Sequence, residues 1–151
     1  MLTTIEKVLL LQGVKMFLHT EIEHLVNIAA LAREVRFEKG DLIFTEGDRI
    51  DAVYIMVEGT VSLRIDSHEI VIKEKEAFGW GDLYENGLRK MTATACGPTM
   101  ALAIGREEFF DLLSDHFDIV RSMLHYFTTL SVHLDYMARV TPVPDNTGPS
   151  T

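Results

Sequence analysis

Between residues 33 and 104 the chain consists of short apolar runs separated by glycine-containing turns, and this pattern constrains the fold more than any other feature. In several of the runs, apolar and polar residues alternate, as in Val61, Leu63 and Ile65, which is the period of a strand with one buried face. The turns are Lys39-Gly40-Asp41, Glu46-Gly47-Asp48 and Glu58-Gly59. Short strands at intervals of about 8–12 residues are typical of β-sandwiches, barrels and jelly rolls. We therefore predict about eight strands in an antiparallel roll.

Helical periodicity lies on both sides of these strands. Thr3 and Glu6 have the spacing of a capping box, which predicts a first helix that ends near Gly13. A second capping box at Thr20–Glu23 precedes apolar residues at close to i, i+3, i+4 and i+7 spacing, which predicts a second helix. From Arg106 onward the period of 3.6 returns and predicts two further helices.

The last predicted helix carries an apolar stripe with a period close to 3.5, formed by Val120, Met123, Phe127, Leu130, Leu134 and Met137. This stripe predicts either a coiled-coil seam in a homodimer or a face that packs on the barrel. Residues 141–151 are rich in proline, glycine, serine and threonine, which predicts a disordered tail or a linker. The predicted domain therefore spans residues 1–140. Its fold is mainly β with flanking helices: an eight-stranded antiparallel β-roll or jelly roll (double-stranded β-helix), with N-terminal helices and two C-terminal helices.

Composition and charge limit the partners of the chain. The net charge of −9 argues against nucleic acid or an anionic membrane surface as a general partner, and the sequence has no basic recognition helix for DNA. No apolar run approaches the ~20 residues of a membrane helix, and we predict no signal peptide and no membrane insertion. The single cysteine, Cys96, excludes an internal disulfide and fits a reducing compartment. We predict a cytoplasmic domain, alone or covalently linked to others in a longer protein.

The histidines give no sequence evidence for catalysis. The six are His19, His24, His68, His116, His125 and His133. None forms an H-x-H pair or lies on a strand beside a carboxylate with ligand spacing, so we interpret them as surface or packing residues. No Ser-His-Asp arrangement is evident either. The sequence thus predicts no enzyme, no metal site and no cofactor.

The stretch Phe78–Ala95 combines glycines, a short predicted helical turn and Arg89. Glycine frees backbone N–H groups at the start of a helical turn to face an anion, and the helix dipole favours negative charge there. Arg89 supplies a planar fork of donors that matches phosphate oxygens. The stretch is therefore a candidate phosphate pocket, and the alternative is a surface turn with a solvated arginine.

Three segments resemble the cyclic nucleotide-binding domain family. Residues 37–48 and 51–61 are similar to the first half of that domain, including its turn glycines and the hairpin Glu58-Gly59. Phe78–Ala95 is similar to the family's phosphate-binding cassette, with no insertion or deletion between glycine and arginine. The resemblance covers about residues 5–138 and implies a β-roll between flanking helices.

The resemblance also implies a function. It implies a regulatory module that binds cAMP or cGMP and relays binding through its C-terminal helices. Arg89 would anchor the phosphate, Gly79 would contact the ribose, and the backbone N–H of Lys90 would also point at the phosphate. The implied base-facing wall consists of the strand residues Val61, Leu63 and Ile72. The implied ligand-binding residues are Gly79, Trp80, Gly81, Asp82, Leu83, Arg89, Lys90 and Met91.

Two positions depart from the family pattern. The family places a glutamate directly after the cassette glycine to accept a hydrogen bond from the ribose 2′-hydroxyl, whereas this chain has Trp80, whose indole donates but cannot accept. Asp82 stands where the family usually has a small apolar residue, and a carboxylate about 4–6 Å from a cyclic phosphate costs about 3–4 kcal/mol at an effective dielectric constant of about 20. Arg89 and the intact cassette length favour nucleotide binding. Trp80 favours a degenerate member that binds no nucleotide and serves dimerisation or contact with a partner, and both hypotheses stay open.

Overall fold

The structure is a computed structural model that describes residues 1–80 and 87–140, with side chains described as far as residue 129. The helices are α1 (Thr4–Gln12), a 3-10 helix (Lys15–Phe17), α2 (Ile22–Leu31), α3 (Arg106–Asp115) and α4 (Phe117–Val140). The strands are β1 (Arg33–Phe37), β2 (Leu42–Phe44), β3 (Ala52–Glu58), β4 (Val61–Ile65), β5 (His68–Ile72), β6 (Ala77–Phe78), β7 (Thr92–Ala95) and β8 (Thr99–Gly105). The predicted tail at 141–151 lies outside the described residues. In the described part of the chain, no helix combines the length and apolarity needed to cross a membrane.

Within the described residues, the eight strands form two antiparallel sheets of four strands each, in the orders β1-β8-β3-β6 and β2-β7-β4-β5. This arrangement confirms the predicted mainly β fold, an eight-stranded antiparallel roll between N-terminal and C-terminal helices. Strand β6 lies at the start of the glycine-rich stretch, where the sequence did not predict a strand. Its residues Ala77 and Phe78 pair with Ile55 and Tyr54 of β3, so the start of the stretch is fixed to the sheet.

Two hydrophobic clusters lie on opposite faces of the sheet that contains β3 and β8. The helical cluster joins the helices to one face and includes Leu11, Phe17, Ile28, Leu102, Phe109 and Ile119. The roll cluster fills the inside of the roll and includes Phe44, Tyr54, Val61, Leu63, Ile72 and Phe78. Along β3, Val53 and Ile55 enter the helical cluster, whereas Tyr54 and Met56 enter the roll cluster, because successive side chains of a strand point to opposite faces. Both faces of β3 and β8 are therefore buried.

The N-termini of the first two helices are stabilised in different ways. The Thr3 hydroxyl accepts a hydrogen bond from the Glu6 N–H, and the Glu6 carboxylate accepts one from the Thr3 N–H, which confirms the first capping box. The prediction of a second capping box at Thr20–Glu23 is wrong. Helix α2 begins at Ile22, and its N-cap residue Glu21 makes no side-chain capping bond. Asp118 of α4 accepts a hydrogen bond from the Glu21 N–H at 3.0 Å, so a distant carboxylate serves the backbone at this end of the helix.

The start of α4 is seated on the rest of the domain. Met123 of the apolar stripe is buried in the helical cluster together with Ile119, and Phe127 of the stripe packs against this cluster. This part of the apolar stripe therefore packs within the domain, in line with the prediction of a face that packs on the barrel. The side chains of Leu130, Leu134 and Met137 lie outside the described residues, and the homodimer seam stays a prediction.

Ser122 connects α4 to the N-terminal segment, and its replacement by alanine should destabilise the domain. Its hydroxyl is fully buried, donates to the Met16 carbonyl at 2.9 Å and accepts from the His19 N–H at 3.0 Å. Ser122→Ala leaves both backbone groups without this partner, so we expect urea denaturation to show a loss of about 1–3 kcal/mol in the free energy of unfolding. Thr129→Ala is the matched control, because that exposed hydroxyl donates to the His125 carbonyl within the same helix. Equal effects of the two substitutions would contradict this role of Ser122.

Candidate functional site

The backbone of Arg89 is held by the turn that precedes β3. The Arg89 N–H donates to the Asp48 carbonyl at 2.7 Å, and the Arg89 carbonyl accepts from the Gly47 N–H at 2.8 Å. Two residues earlier, the Gly87 carbonyl accepts from the Ile50 N–H at 2.8 Å. The Glu46-Gly47-Asp48 turn, singled out in the sequence, therefore positions Arg89, the residue predicted to anchor a phosphate.

The guanidinium of Arg89 is buried and binds backbone carbonyls on two elements. The residue is 2% exposed. Its Nη1 donates to the Gly79 carbonyl at 2.7 Å, and its Nη2 donates to the Ala52 carbonyl at 2.6 Å. The Asp51 carboxylate lies 3.5 Å from Nη2 and is largely exposed, so solvent screens that ion pair. Charge-assisted hydrogen bonds to the Gly79 and Ala52 carbonyls therefore help to stabilise the buried charge.

An aromatic group packs beside the guanidinium on the inside of the roll. The Arg89 Cζ atom lies 3.9 Å from the centroid of the Phe44 ring, a cation–π distance. The Tyr54 and Phe78 rings stack with centroids 5.1 Å apart, and Phe44 lies 6.2 Å from each of them. Burial raises the pKa of Tyr54, the Asp51 carboxylate adds to this effect, and Arg89 opposes it. The face of the guanidinium therefore meets an apolar, aromatic interior.

Gly79 and Trp80 link the arginine to helix α4. Gly79 has a φ of +81°, and a Cβ atom there would lie 2.9 Å from Arg89 Nη1, so the approach of the guanidinium requires glycine. The Trp80 indole N–H donates to the Ala77 carbonyl at 3.2 Å. Its rings stack on Phe127 of α4 with centroids 4.4 Å apart and planes inclined by 26°. Contacts therefore run without interruption from Arg89 through Gly79 and Trp80 to α4.

The other predicted site residues lie at different places. Met91 is partly buried against the roll cluster. Lys90 is exposed and borders an open surface cleft of ≈ 430 Å³, which Leu88 and Gly47 also line. Arg89 contributes to this cleft through its backbone, because its side chain is 0% exposed. The implied base-facing residues Val61, Leu63 and Ile72 are buried inside the roll. Gly81, Asp82 and Leu83 lie outside the described residues. The assignment of all eight ligand-binding residues stays a prediction.

The fold also brings together residues that the sequence analysis left apart. His24, His116 and Asp118 each place one potential ligand atom within 4.8 Å of the others, the one group of this kind among the described residues. Neither histidine belongs to an H-x-H pair or lies on a strand, the two arrangements by which a metal site is recognised most readily in a sequence of this fold class. The spacing His116-x-Asp118 was the one sequence signal of this cluster. The approach of His24 to these two residues could not be predicted, because it depends on how α2 packs against the junction of α3 and α4.

Comparison with a family model and a curated protein identifies related sequences. The model of the cyclic nucleotide-binding domain matches residues 34–116, more than half of the chain. A segment of 72 residues is 35% identical to a cGMP-dependent protein kinase of Eimeria tenella. That segment covers 47% of this chain and 7% of the kinase, so the chain corresponds to a small part of that protein.

Comparison with solved structures shows the same fold. The sensor domain of the transcriptional regulator DNR from Pseudomonas aeruginosa superposes with a TM-score of 0.72 at 20% identity, covering 94% of this chain and 97% of that one. The N-terminal domain of a transcriptional regulator from Streptomyces coelicolor A3(2) gives a TM-score of 0.66 at 25% identity, covering 89% and 98%. The similarity extends over the helices as well as the roll.

Proposed function

Because the chain belongs to the cyclic nucleotide-binding domain family, we propose that it is a regulatory module that binds cAMP or cGMP at Arg89 and relays binding to helix α4. The observation that carries the proposal is the series of contacts from the Arg89 guanidinium to the Gly79 carbonyl, and from the adjacent Trp80 to Phe127. A ligand that changes the hydrogen bond between Arg89 and Gly79 acts on Gly79, and the next residue in the chain, Trp80, contacts α4.

The chemistry of the arginine favours an anionic ligand. Its guanidinium binds the neutral carbonyl oxygens of Ala52 and Gly79. A cyclic phosphate offers two oxygens that share a negative charge, and a planar guanidinium binds such a pair more strongly than it binds neutral acceptors. In this proposal the phosphate takes the place of the Gly79 carbonyl, and Gly79 moves together with Trp80.

The relay follows from the way in which α4 is attached. Asp118 and Ser122, near its N-terminus, bond to the segment that precedes and begins α2. Phe127 lies further along the helix and contacts Trp80. In this proposal a shift of Trp80 changes the packing of α4 beyond its anchored first turns, and the change reaches whatever follows or contacts the helix.

The test uses Trp80, the single tryptophan of the chain, as a reporter. We expect titration with cAMP or cGMP to give a saturable heat in calorimetry and a change in Trp80 emission at the same concentrations. At about 100 times Kd, the free energy of unfolding should rise by about 2.7 kcal/mol. Adenosine, which lacks the phosphate, is the control ligand and should give neither signal.

Two substitutions separate binding from relay. Arg89→Lys keeps the positive charge but loses the bidentate fork, so we expect nucleotide affinity to fall at least about tenfold, or about 1.4 kcal/mol. Phe127→Leu removes the ring stack, so we expect it to retain the heat of binding and to lose most of the emission change. Absence of heat and of stabilisation with both nucleotides would overturn the proposal.

A second candidate function is a ligand-free member of the family that serves dimerisation or contact with a partner. The observation that favours it is the packing inside the roll, where Phe44, Tyr54 and Phe78 form one aromatic group against the guanidinium. The same calorimetry separates the two candidates, because this one predicts no heat with either nucleotide. Sedimentation of the full chain then tests dimerisation, and a monomer at tens of micromolar would count against the dimer.

A further inference from the structure

We propose that His24, His116 and Asp118 form a binding site for a divalent transition-metal ion such as Zn²⁺, where α2 meets the junction of α3 and α4. One ligand atom from each residue lies within 4.8 Å of those of the other two. This site is separate from Arg89 and does not depend on nucleotide binding.

The three side chains come from three helical positions that the fold holds in contact. His24 lies in the first turn of α2, His116 is the C-cap residue of α3, and Asp118 lies in the first turn of α4. The His24 and His116 rings have centroids 4.2 Å apart, and His24 Nδ1 lies 2.6 Å from Asp118 Oδ2. Both histidines are partly exposed, so an ion has access from solvent.

A second observation concerns Asp118, which is 9% exposed. Its Oδ2 atom interacts with His24 and accepts from the Glu21 N–H at 3.0 Å. Its other oxygen, Oδ1, is buried and meets no donor with good hydrogen-bond geometry among the described residues, although the nearby Ile119 N–H contributes to lowering the pKa of the carboxyl group. A buried carboxylate oxygen without a partner is costly, and a cation at this position would supply the missing interaction.

The donor set selects the kind of ion. Two imidazole nitrogens and one carboxylate oxygen are a known Zn²⁺ ligand set, with a fourth position open to water. Bonds of about 2.0–2.2 Å place tetrahedral donors about 3.3–3.6 Å apart. Donors up to 4.8 Å apart therefore need to close by about 1.2–1.5 Å, whereas His24 Nδ1 and Asp118 Oδ2, 2.6 Å apart, need to separate by about 0.7–1.0 Å. Mg²⁺ and Ca²⁺ prefer sites made of oxygen ligands, which this group does not offer.

Metal binding would strengthen the connection between α4 and the N-terminal segment and extend it to the end of α3. The hydrogen bonds of Asp118 to Glu21 and His24 and the contacts of Ser122 already join α4 to this segment. An ion would replace the direct contact between His24 and Asp118 by coordination and would add His116 to the connection. The inferred role is therefore to fix the anchored end of the helix.

The test is titration of ZnCl₂ into the chelator-treated full chain at about pH 8, because the hydrogen bond to Asp118 raises the pKa of His24 and metal binding requires the neutral imidazole. We expect one binding event per chain and a rise in Tm, whereas MgCl₂ should give neither. Replacing Zn²⁺ by Co²⁺ should produce the visible absorption bands of a tetrahedral site, a readout on the unmodified chain that requires no variant to fold.

Variants locate the site. His116→Ala and Asp118→Asn should each weaken Zn²⁺ binding at least about tenfold. His68→Ala is the matched control, because His68 is an exposed histidine on β5, and it should leave binding unchanged. His19 and His125, whose rings are 4.5 Å apart, are the alternative location, and loss of binding in His125→Ala with retention in His116→Ala would overturn the proposal. Absence of Zn²⁺ binding to the unmodified chain would overturn it as well.

Discussion

Replacing Arg89 by alanine should lower the free energy of unfolding by about 3–5 kcal/mol. The substitution leaves the Ala52 and Gly79 carbonyls without their guanidinium donors and opens a void beside Phe44. Removing the charged group also removes the desolvation cost of burying it, which offsets part of this loss of stability. The unsatisfied carbonyl acceptors and the cavity left by the side chain have the larger effect. The arginine expected to bind phosphate is thus also expected to hold the site together.

Urea denaturation of the Arg89→Ala and Arg64→Ala variants measures this effect. Arg64 is the matched control, because it also pairs with a carboxylate, that of Glu69, but on the exposed face of a hairpin. A surface ion pair contributes about 0–1 kcal/mol, so we expect Arg64→Ala to change stability little. A similar small loss for both variants would show that the described contacts of Arg89 do not stabilise the fold.

Replacing Gly59 by alanine should cost about 3 kcal/mol, because two effects add at this position. Its φ is +91°, a conformation that side chains with a Cβ rarely adopt. A Cβ atom would also lie 2.6 Å from the Pro98 carbonyl oxygen and 2.7 Å from Thr99 Oγ1. The β3–β4 hairpin packs so closely on the turn before β8 that one of the two must move.

Gly47→Ala separates the two effects. Gly47 has nearly the same φ, +92°, but nothing lies within 4 Å of the Cβ position. We expect it to lose only the conformational part, about 1 kcal/mol, when both variants are compared by thermal or urea denaturation. If Gly59→Ala is no less stable than Gly47→Ala, the turns move apart without cost and the proposed steric effect is wrong.

The parts of the fold that the sequence predicted depend on local rules. Alternation within five or six residues located β1, β4 and β5, and short β-rich runs between turns located β2, β3, β7 and β8. The 3.6-residue period located α2 and the two C-terminal helices. The capping box at Thr3 and Glu6 was predicted because both partners lie within one turn of helix. Turn glycines such as Gly59 were recognisable because their backbone conformation depends on the residue itself.

The parts that the sequence did not predict depend on residues distant in the chain. Thr20 had a suitable spacing for a cap, but Asp118, 97 residues beyond Glu21, provides the acceptor at that end of α2. The Arg89 guanidinium bonds to Ala52, 37 residues away, so its burial follows from tertiary packing. In the sequence, Trp80 indicated only the loss of a ribose contact. Its stacking on Phe127 could not be predicted, because it depends on the position of α4 in the fold.

Strands β3 and β8 couple the helical half of the domain to the roll. Each places alternate side chains in the helical cluster and in the roll cluster. Separation of these strands would therefore expose both clusters to solvent at once, and we expect the two halves to open as one cooperative unit in hydrogen exchange. Any ligand that suppresses opening on one side suppresses it on the other, so linkage between the ends of the domain needs no large displacement.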